Sequence, residues 1–280
     1  MKWQSKIGLG SVQFGLPYGI SNQTGQTPID EVSKILDLAF TEGIRIIDTA
    51  SAYGTSESVI GMLNNNRFSI VSKFGPSSSV EDIRQQLENS LSALNTQSLY
   101  GYLAHRPLDL LDNPIVWQEL QKLKTENKIQ KIGFSLNAPN EYYLLKAVGM
   151  QPDLVQVPFN YFDTRFKEVL TELKANGCEV HTRSTFLQGL FFTDIEKLSS
   201  FFDELKPNLQ YLHKTYKSKL EGALLSYVLQ QDFIDVVIMG VENVTQLTKN
   251  LESIAVAPEL EPLAVSFSEK LVMPMHWPKD

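Results

Sequence analysis

From Asp30 to Glu42 the apolar residues Val32, Ile35, Leu36, Ala39 and Phe40 recur at three- and four-residue spacing, which predicts a helix with one apolar face. Gly43 is its expected stop. Two short apolar runs follow, Ile44–Ile47 closing on Asp48 and Phe68–Ser72 closing on Lys73, and both read as buried strands. Ser79, with Asp82 three positions on, predicts the start of another helix carrying Ile83, Leu87, Leu91 and Leu94, and a strand through Leu99–Leu103 ends just before His105.

The alternation continues with a helix around Ile115–Thr125, a polar connection through Lys128, Gln130 and Lys131, and a strand Ile132–Phe134. A helix near Glu141–Val148, a strand Leu154–Val157, a helix Phe166–Ala175 and a strand Glu179–Thr182 come next. A long helix within Leu212–Gln230 and a strand Val236–Met239 closing on Gly240 complete the series. With Ile7–Leu9 as the first, eight strand candidates are separated by helical segments, and no Pro- or Ser-rich linker divides them. Strict alternation predicts a parallel sheet, and eight repeats favour a closed (β/α)8 TIM barrel, an α/β fold in one domain over residues 1–280. The longest irregular stretches, Gly15–Pro28 and Phe186–Asn208, are candidate ligand loops.

Composition narrows the function classes. The 280 residues are 42% hydrophobic and 20% charged, ordinary for a soluble globular protein, and 25 basic against 32 acidic side chains leave a formal charge of −7. No basic stripe offsets that charge, so neither nucleic acid nor an anionic membrane is an expected partner. The start Met1–Lys6 runs straight into a strand without a signal-peptide pattern, no apolar span is long enough for a membrane helix, and the lone Cys178 calls for no oxidising compartment. A cytoplasmic protein is expected. The four histidines, His105, His181, His213 and His276, are dispersed without a metal-ligand motif, and Gly8, Gly10 and Gly15 have the wrong spacing for a dinucleotide turn of the Rossmann kind.

Polar residues stand at successive strand ends: Asp48 after the second, Lys73 after the third, His105 after the fourth, with Tyr53 in the loop beyond Asp48. In a barrel these ends meet at one mouth. Their types suit carbonyl reduction, which needs hydride at carbon and a proton at oxygen. A tyrosine gives that proton when a neighbouring ammonium favours its phenolate, and a buried lysine stays charged beside a carboxylate. Asp48 serves Lys73, Lys73 serves Tyr53, and His105 holds the substrate oxygen. No side chain carries hydride, so a nicotinamide cofactor is required. Two alternatives are a Schiff-base aldolase using Lys73, which the nearby carboxylate of Asp48 opposes, and a nicotinamide-binding sensor with little turnover.

The motifs Gly8-Leu9-Gly10-Ser11, Asp48-Thr49-Ala50-Ser51-Ala52-Tyr53-Gly54-Thr55-Ser56-Glu57, Val71-Ser72-Lys73 and Ala104-His105-Arg106-Pro107 resemble the aldo-keto reductase superfamily, and the likeness runs over nearly the whole chain. It implies NAD(P)H-dependent reduction of an aldehyde or ketone, with Asp48, Tyr53, Lys73 and His105 as the catalytic tetrad and Tyr53 as general acid. It also implies cofactor contacts from Gly10 and Ser11, from Ser135 in Gly-Phe-Ser-Leu-Asn, and from Gln156 toward the carboxamide. Leu136 stands where the family usually has Asn, leaving Asn137 as its substitute, and Arg183 stands where the family often has an aromatic stacked on nicotinamide.

Ser184, Phe186 and Gly189 fall in a stretch that resembles the pyrophosphate loop, and Gly240, Asn243, Gln246 and Asn250 in one that resembles the adenine end. Gln246 occupies the place of the arginine that anchors the 2′-phosphate in NADP-preferring members, with Glu242 close by and Lys249 as the cation able to compensate. Glu242 and Asn243 are equally candidates to cap the last helix. NADPH is the expected coenzyme, with NADH second, and the chain is expected to be a monomer. The stretch Gln13–Asn22 resembles bacterial members found with sugar and surface-polysaccharide genes, which points to a small polar or sugar-like carbonyl, while local aromatics also admit a hydrophobic aldehyde.

Overall fold

The eight apolar runs all become strands of one sheet. In a computed structural model, which describes residues 3–19, 22, 25–263 and 265–278, the strands are β1 (Ile7–Gly10), β2 (Ile46–Asp48), β3 (Ser69–Phe74), β4 (Leu99–Ala104), β5 (Ile129–Ser135), β6 (Leu154–Pro158), β7 (Glu179–Arg183) and β8 (Val236–Gly240). Each pairs in parallel with the next, and β8 pairs with β1 to close the barrel. Met1 and Lys2 of the N-terminal segment, and Ile20 and Ser21 of the Gln13–Asn22 stretch, lie outside the described residues.

Helices cover the outside where the apolar spacing predicts them. The Ile29–Thr41 helix buries Val32, Ile35, Leu36 and Ala39, and the chain leaves it through Gly43 at a φ of +85°. The Val80–Ala93 helix starts at Ser79, whose hydroxyl accepts from Asp82 N at 3.1 Å, while the Asp82 carboxylate accepts from Ser78 N. Val71, Leu103 and Leu154 pack together as a small apolar cluster of strand residues.

Three expectations change. Gln130 and Lys131 belong to β5, not to a connection: Lys131 pairs in register with Gly101, and its ammonium is tied to Glu179, which also accepts from Tyr100 OH at 2.7 Å. The polar side chains there satisfy one another, so the strand tolerates them. The single long helix is two, Lys206–Tyr216 and Leu220–Leu229, separated at Lys217, whose φ is +49°. The break lets Leu209, Leu212 and Tyr216 pack beneath the loop after β7, while Leu225, Val228 and Leu229 join the main core. A helix absent from the pattern, Ser56–Leu63, follows the Tyr53 loop.

The strands present Gly10, Asp48, Phe74, Ala104, Ser135, Pro158, Arg183 and Gly240 at their C-terminal ends. All the candidate strand-end residues therefore share one face of the barrel.

Candidate active site

Asp48 closes β2, and Lys73 lies next to the end of the neighbouring β3. The Lys73 side chain is 0% exposed, and its Nζ donates to both carboxylate oxygens of Asp48 at 2.7 Å and to Thr49 O at 2.8 Å. Three acceptors satisfy the three protons of an ammonium, which is what keeps a buried lysine charged. Gln156 of β6 donates its Nε2 to Asp48 Oδ1 at 2.6 Å, and its Oε1 is buried without a hydrogen-bond partner among the described residues.

The loop carrying Tyr53 is fixed by its backbone. Tyr53 N donates to Ala50 O at 3.0 Å, Ser56 N donates to Tyr53 O at 3.0 Å, and Ser51 N donates to Lys73 O at 3.1 Å. A Cβ on Gly15 would lie 1.8 Å from Tyr53 O, and one on Gly54, whose φ is +56°, would lie 2.4 Å from Gly15 O. Only glycines allow this approach. Beneath it, Ser11 Oγ donates to Asp48 O at 2.8 Å, and Ser56 Oγ lies 2.8 Å from Ser11 Oγ and 3.1 Å from Thr49 Oγ1. Glu57 accepts from Ser72 Oγ at 2.5 Å and from Ser90 Oγ at 3.2 Å, and burial raises its carboxyl above the usual range.

Tyr53 stands between cation and imidazole. Lys73 Nζ lies 5.2 Å from the Tyr53 ring centroid, and the His105 ring meets Tyr53 edge-on at 5.8 Å. Burial first, and the Lys73 ammonium second, push His105 down to about 4. His105 is therefore a neutral imidazole at pH 7.

These residues open onto a cavity of about 910 Å³, in the range of a cofactor pocket. Asp48, Tyr53 and His105 line it, while Lys73 sits behind them. Gly10, Ser11, Ser135 and Gln156 line it from the strand ends, as do Arg183, Ser184, Phe186 and Gly189 from the end of β7 and its loop. That loop turns through positive φ at Ser184 (+65°), Leu187 (+46°), Gln188 (+53°) and Gly189 (+93°). Asn160 anchors it by donating to Ser184 O at 3.1 Å, and Thr185 Oγ1 is buried there without a partner among the described residues. Leu136 is fully buried and outside the lining, so the polar position falls to Asn137, which lines the cavity.

The far end of the cavity is built on the Val244–Ala255 helix, with Gly240, Gln246 and Asn250 in its lining. Asn243 is absent from that lining because its side chain caps the helix, accepting from Gln246 N at 2.8 Å. Asn250 Nδ2 is placed 3.3 Å from Met239 Sδ. Lys249 also lines the cavity, but its ammonium is paired with Glu221.

Gln13 and Tyr18 bring the Gln13–Asn22 stretch into the lining, and Arg106 and Gln188, to which the sequence assigns no role, also line it. Gln188 Nε2 donates to Tyr18 OH at 2.7 Å, bridging the loops after β1 and β7, and burial raises the Tyr18 hydroxyl. Among the described residues no group of three or more His, Cys, Asp or Glu side chains is arranged to hold a metal, and no helix is long and apolar enough to cross a membrane.

The model of the Aldo/keto reductase family matches residues 6–262. A probable aldo-keto reductase 1 of Glycine max is 24% identical over 285 residues, covering 86% of this chain and 81% of that protein. The aldo-keto reductase YhdN of Bacillus subtilis (strain 168) is 26% identical over 211 residues, covering 66% and 60% respectively. Among solved structures, a putative aldo-keto reductase from Pseudomonas aeruginosa superposes with a TM-score of 0.69 at 26% identity over 90% of each chain. The holo form of AKR11C1 from Bacillus halodurans shares the fold, with a TM-score of 0.74 at 20% identity over 95% of each chain. The chain belongs to the aldo/keto reductase family and is an oxidoreductase acting on carbonyl compounds.

Proposed function

We propose that this protein reduces a small aldehyde or ketone to the alcohol, with Tyr53 as the proton donor and a reduced nicotinamide dinucleotide as the hydride source. The observation that carries the reading is the position of the Lys73 ammonium, held by Asp48 and Thr49 and lying 5.2 Å from the Tyr53 ring. A cation there offsets the negative charge that develops on the Tyr53 oxygen as its proton passes to the carbonyl oxygen. Neutral His105 donates a hydrogen bond to the same oxygen and orients it toward Tyr53. Hydride donation, which no side chain supplies, is the chemistry of a reduced nicotinamide dinucleotide when bound.

Unpartnered polar atoms support that cofactor. Gln156 Oε1 is an acceptor fitted to a carboxamide N–H, and Thr185 Oγ1 is a hydroxyl available to a phosphate oxygen. NADPH and NADH differ only at the adenosine 2′ position, so these contacts serve either. For the substrate we favour a polar, sugar-like carbonyl, because Tyr18, Arg106, Asn137 and Gln188 add polar groups to the cavity lining. The reading takes the chain as a cytoplasmic monomer whose one cysteine, Cys178, is buried.

The same geometry opposes an aldolase, since Lys73 Nζ is held as an ammonium by three acceptors and has no free lone pair to attack a carbonyl. The test is to mix the purified protein with NADH or NADPH and a panel of simple and sugar aldehydes, following loss of the reduced-nicotinamide absorbance. Turnover abolished in Tyr53→Phe supports the reading. Coenzyme binding without turnover across the panel favours the sensor role, and turnover unchanged in Tyr53→Phe overturns the assignment of the proton donor.

A further inference from the structure

NADPH carries one phosphate that NADH lacks, on the adenosine 2′ oxygen, so coenzyme preference is set where the adenosine lies. On the functional reading above, hydride is delivered beside Tyr53 and His105, which places the nicotinamide at the catalytic end of the cavity. The cavity continues from there to Glu242 and Gln246 at the start of the Val244–Ala255 helix and to Asn250 further along it. A helix start of this kind ordinarily holds a phosphate, through free N–H groups and the positive end of its dipole.

Here three of the backbone donors are taken by the protein itself. Val244 N donates to Glu31 Oε1 at 2.8 Å, Gln246 N to Asn243 Oδ1 at 2.8 Å, and Glu242 N to Gln246 Oε1 at 2.8 Å. Glu31 reaches across from the Ile29–Thr41 helix, so a carboxylate already stands at the helix start. The Val244 N–H and Lys34 hold its carboxyl below the usual range, so it is ionised at neutral pH.

The nearby cations are spoken for as well. Lys249 is paired with Glu221, and Lys34 with Glu31 at 3.1 Å and Asp30 at 3.8 Å. Glu242 makes no ion pair among the described residues and lines the cavity. A 2′-phosphate, with roughly two negative charges, would face Glu242 in the cavity lining, with the Glu31 carboxylate already at the helix start and no arginine to receive it.

We infer that Glu242, with Glu31 occupying the Val244 N–H at the helix start, shapes the adenosine end for an unphosphorylated ribose, so that NADH rather than the expected NADPH is the coenzyme. Lys249, the cation expected to compensate for Gln246, is paired with Glu221, which lines the cavity beside it and offsets its charge there.

The test measures binding without turnover. NADH and NADPH are titrated separately into the substrate-free protein, following tryptophan fluorescence and heat, at low and at raised ionic strength. NADH is expected to bind at least about tenfold more tightly, and the gap is expected to narrow with salt as the repulsion is screened. Glu242→Gln is expected to shift the NADPH-to-NADH affinity ratio toward NADPH by about three- to tenfold. Equal or tighter binding of NADPH by the unaltered protein overturns the coenzyme inference while leaving the cavity a dinucleotide site. Binding of neither nucleotide overturns the dinucleotide reading and this inference with it.

Discussion

Arg183 donates its Nη2 to Asn137 Oδ1 at 2.7 Å and to Leu136 O at 3.2 Å, which ties the end of β7 to the loop after β5. Two departures from the family pattern are thus one device: with Leu136 buried, Asn137 becomes the residue that holds the guanidinium at the edge of the cavity. Arg183 makes no ion pair among the described residues, and its charge acts on both His105 and Tyr18. A fixed cation beside a nicotinamide disfavours the ring that becomes positive on losing hydride.

Arg183→Phe is therefore expected to lower the ratio of oxidised to reduced nucleotide dissociation constants by about tenfold, since it removes the repulsion felt only by the oxidised ring. Titrating both redox forms into the variant without substrate measures that ratio. An unchanged ratio means the guanidinium does not act on the ring.

Tyr53→Phe keeps the ring packed against His105 and removes only the hydroxyl. Turnover is expected to fall by about 10² to 10⁴, the usual worth of a positioned general acid, with reduced-coenzyme affinity within about twofold. Single-turnover rates alongside fluorescence titration separate the two effects.

Lys73→Met removes the ammonium that two oxygens of Asp48 and the Thr49 carbonyl surround. Breaking one side of a buried ion pair leaves an uncompensated carboxylate and costs about 3–5 kcal/mol. The double variant Asp48→Asn, Lys73→Met should recover part of that stability and none of the activity. Denaturant midpoints of the three proteins check this, and a fully stable single variant would mean the pair contributes nothing to the fold.

Much of this was legible in the sequence, for particular reasons. Asp48, Lys73 and His105 stood out as ionisable residues at the ends of apolar strand runs, which the barrel brings together, and Tyr53 as the tyrosine of the loop that follows Asp48. The Ser56–Leu63 helix was hidden because its first turn, Ser56-Glu57-Ser58, is polar, with Ser56 and Glu57 buried in hydrogen bonds where an apolar stripe would begin. The break at Lys217 was hidden because the helical pattern runs on across it, and only tertiary packing turns Leu225, Val228 and Leu229 of the second helix into the main core. Asn137 with Arg183, and Glu31 with Val244, are contacts between residues 46 and 213 positions apart, a proximity that no local pattern encodes.

Gly15→Ala tests the close approach that sets the Tyr53 loop. Its Cβ would lie 1.8 Å from Tyr53 O and 2.5 Å from Ser56 N, both backbone atoms that cannot swing aside. The loop must shift, so a destabilisation of about 1–3 kcal/mol and a loss of turnover larger than the loss of coenzyme affinity are expected. Wild-type turnover in a stably folded variant would show that the Tyr53 position does not depend on this contact.

The pH dependence follows from His105, whose pKa burial and then Lys73 push down to about 4, against about 6.5 in an unfolded chain. Between those values the unfolded chain holds a proton that the folded protein refuses. Stability is then complete above about pH 6.5 and falls as pH drops through the window, by up to about 1.4 kcal/mol per pH unit from this one group. His105→Gln should flatten that part of the stability profile, which denaturation at pH 7 and pH 5 measures directly. Activity should follow the folded value: a substrate oxygen positioned by neutral His105 gives kcat/KM an acid limb near 4, below which the imidazolium replaces the neutral ring. An acid limb near 6.5 in the unaltered protein would mean that His105 titrates as an exposed histidine and that the packing around Tyr53 and Lys73 does not hold it neutral.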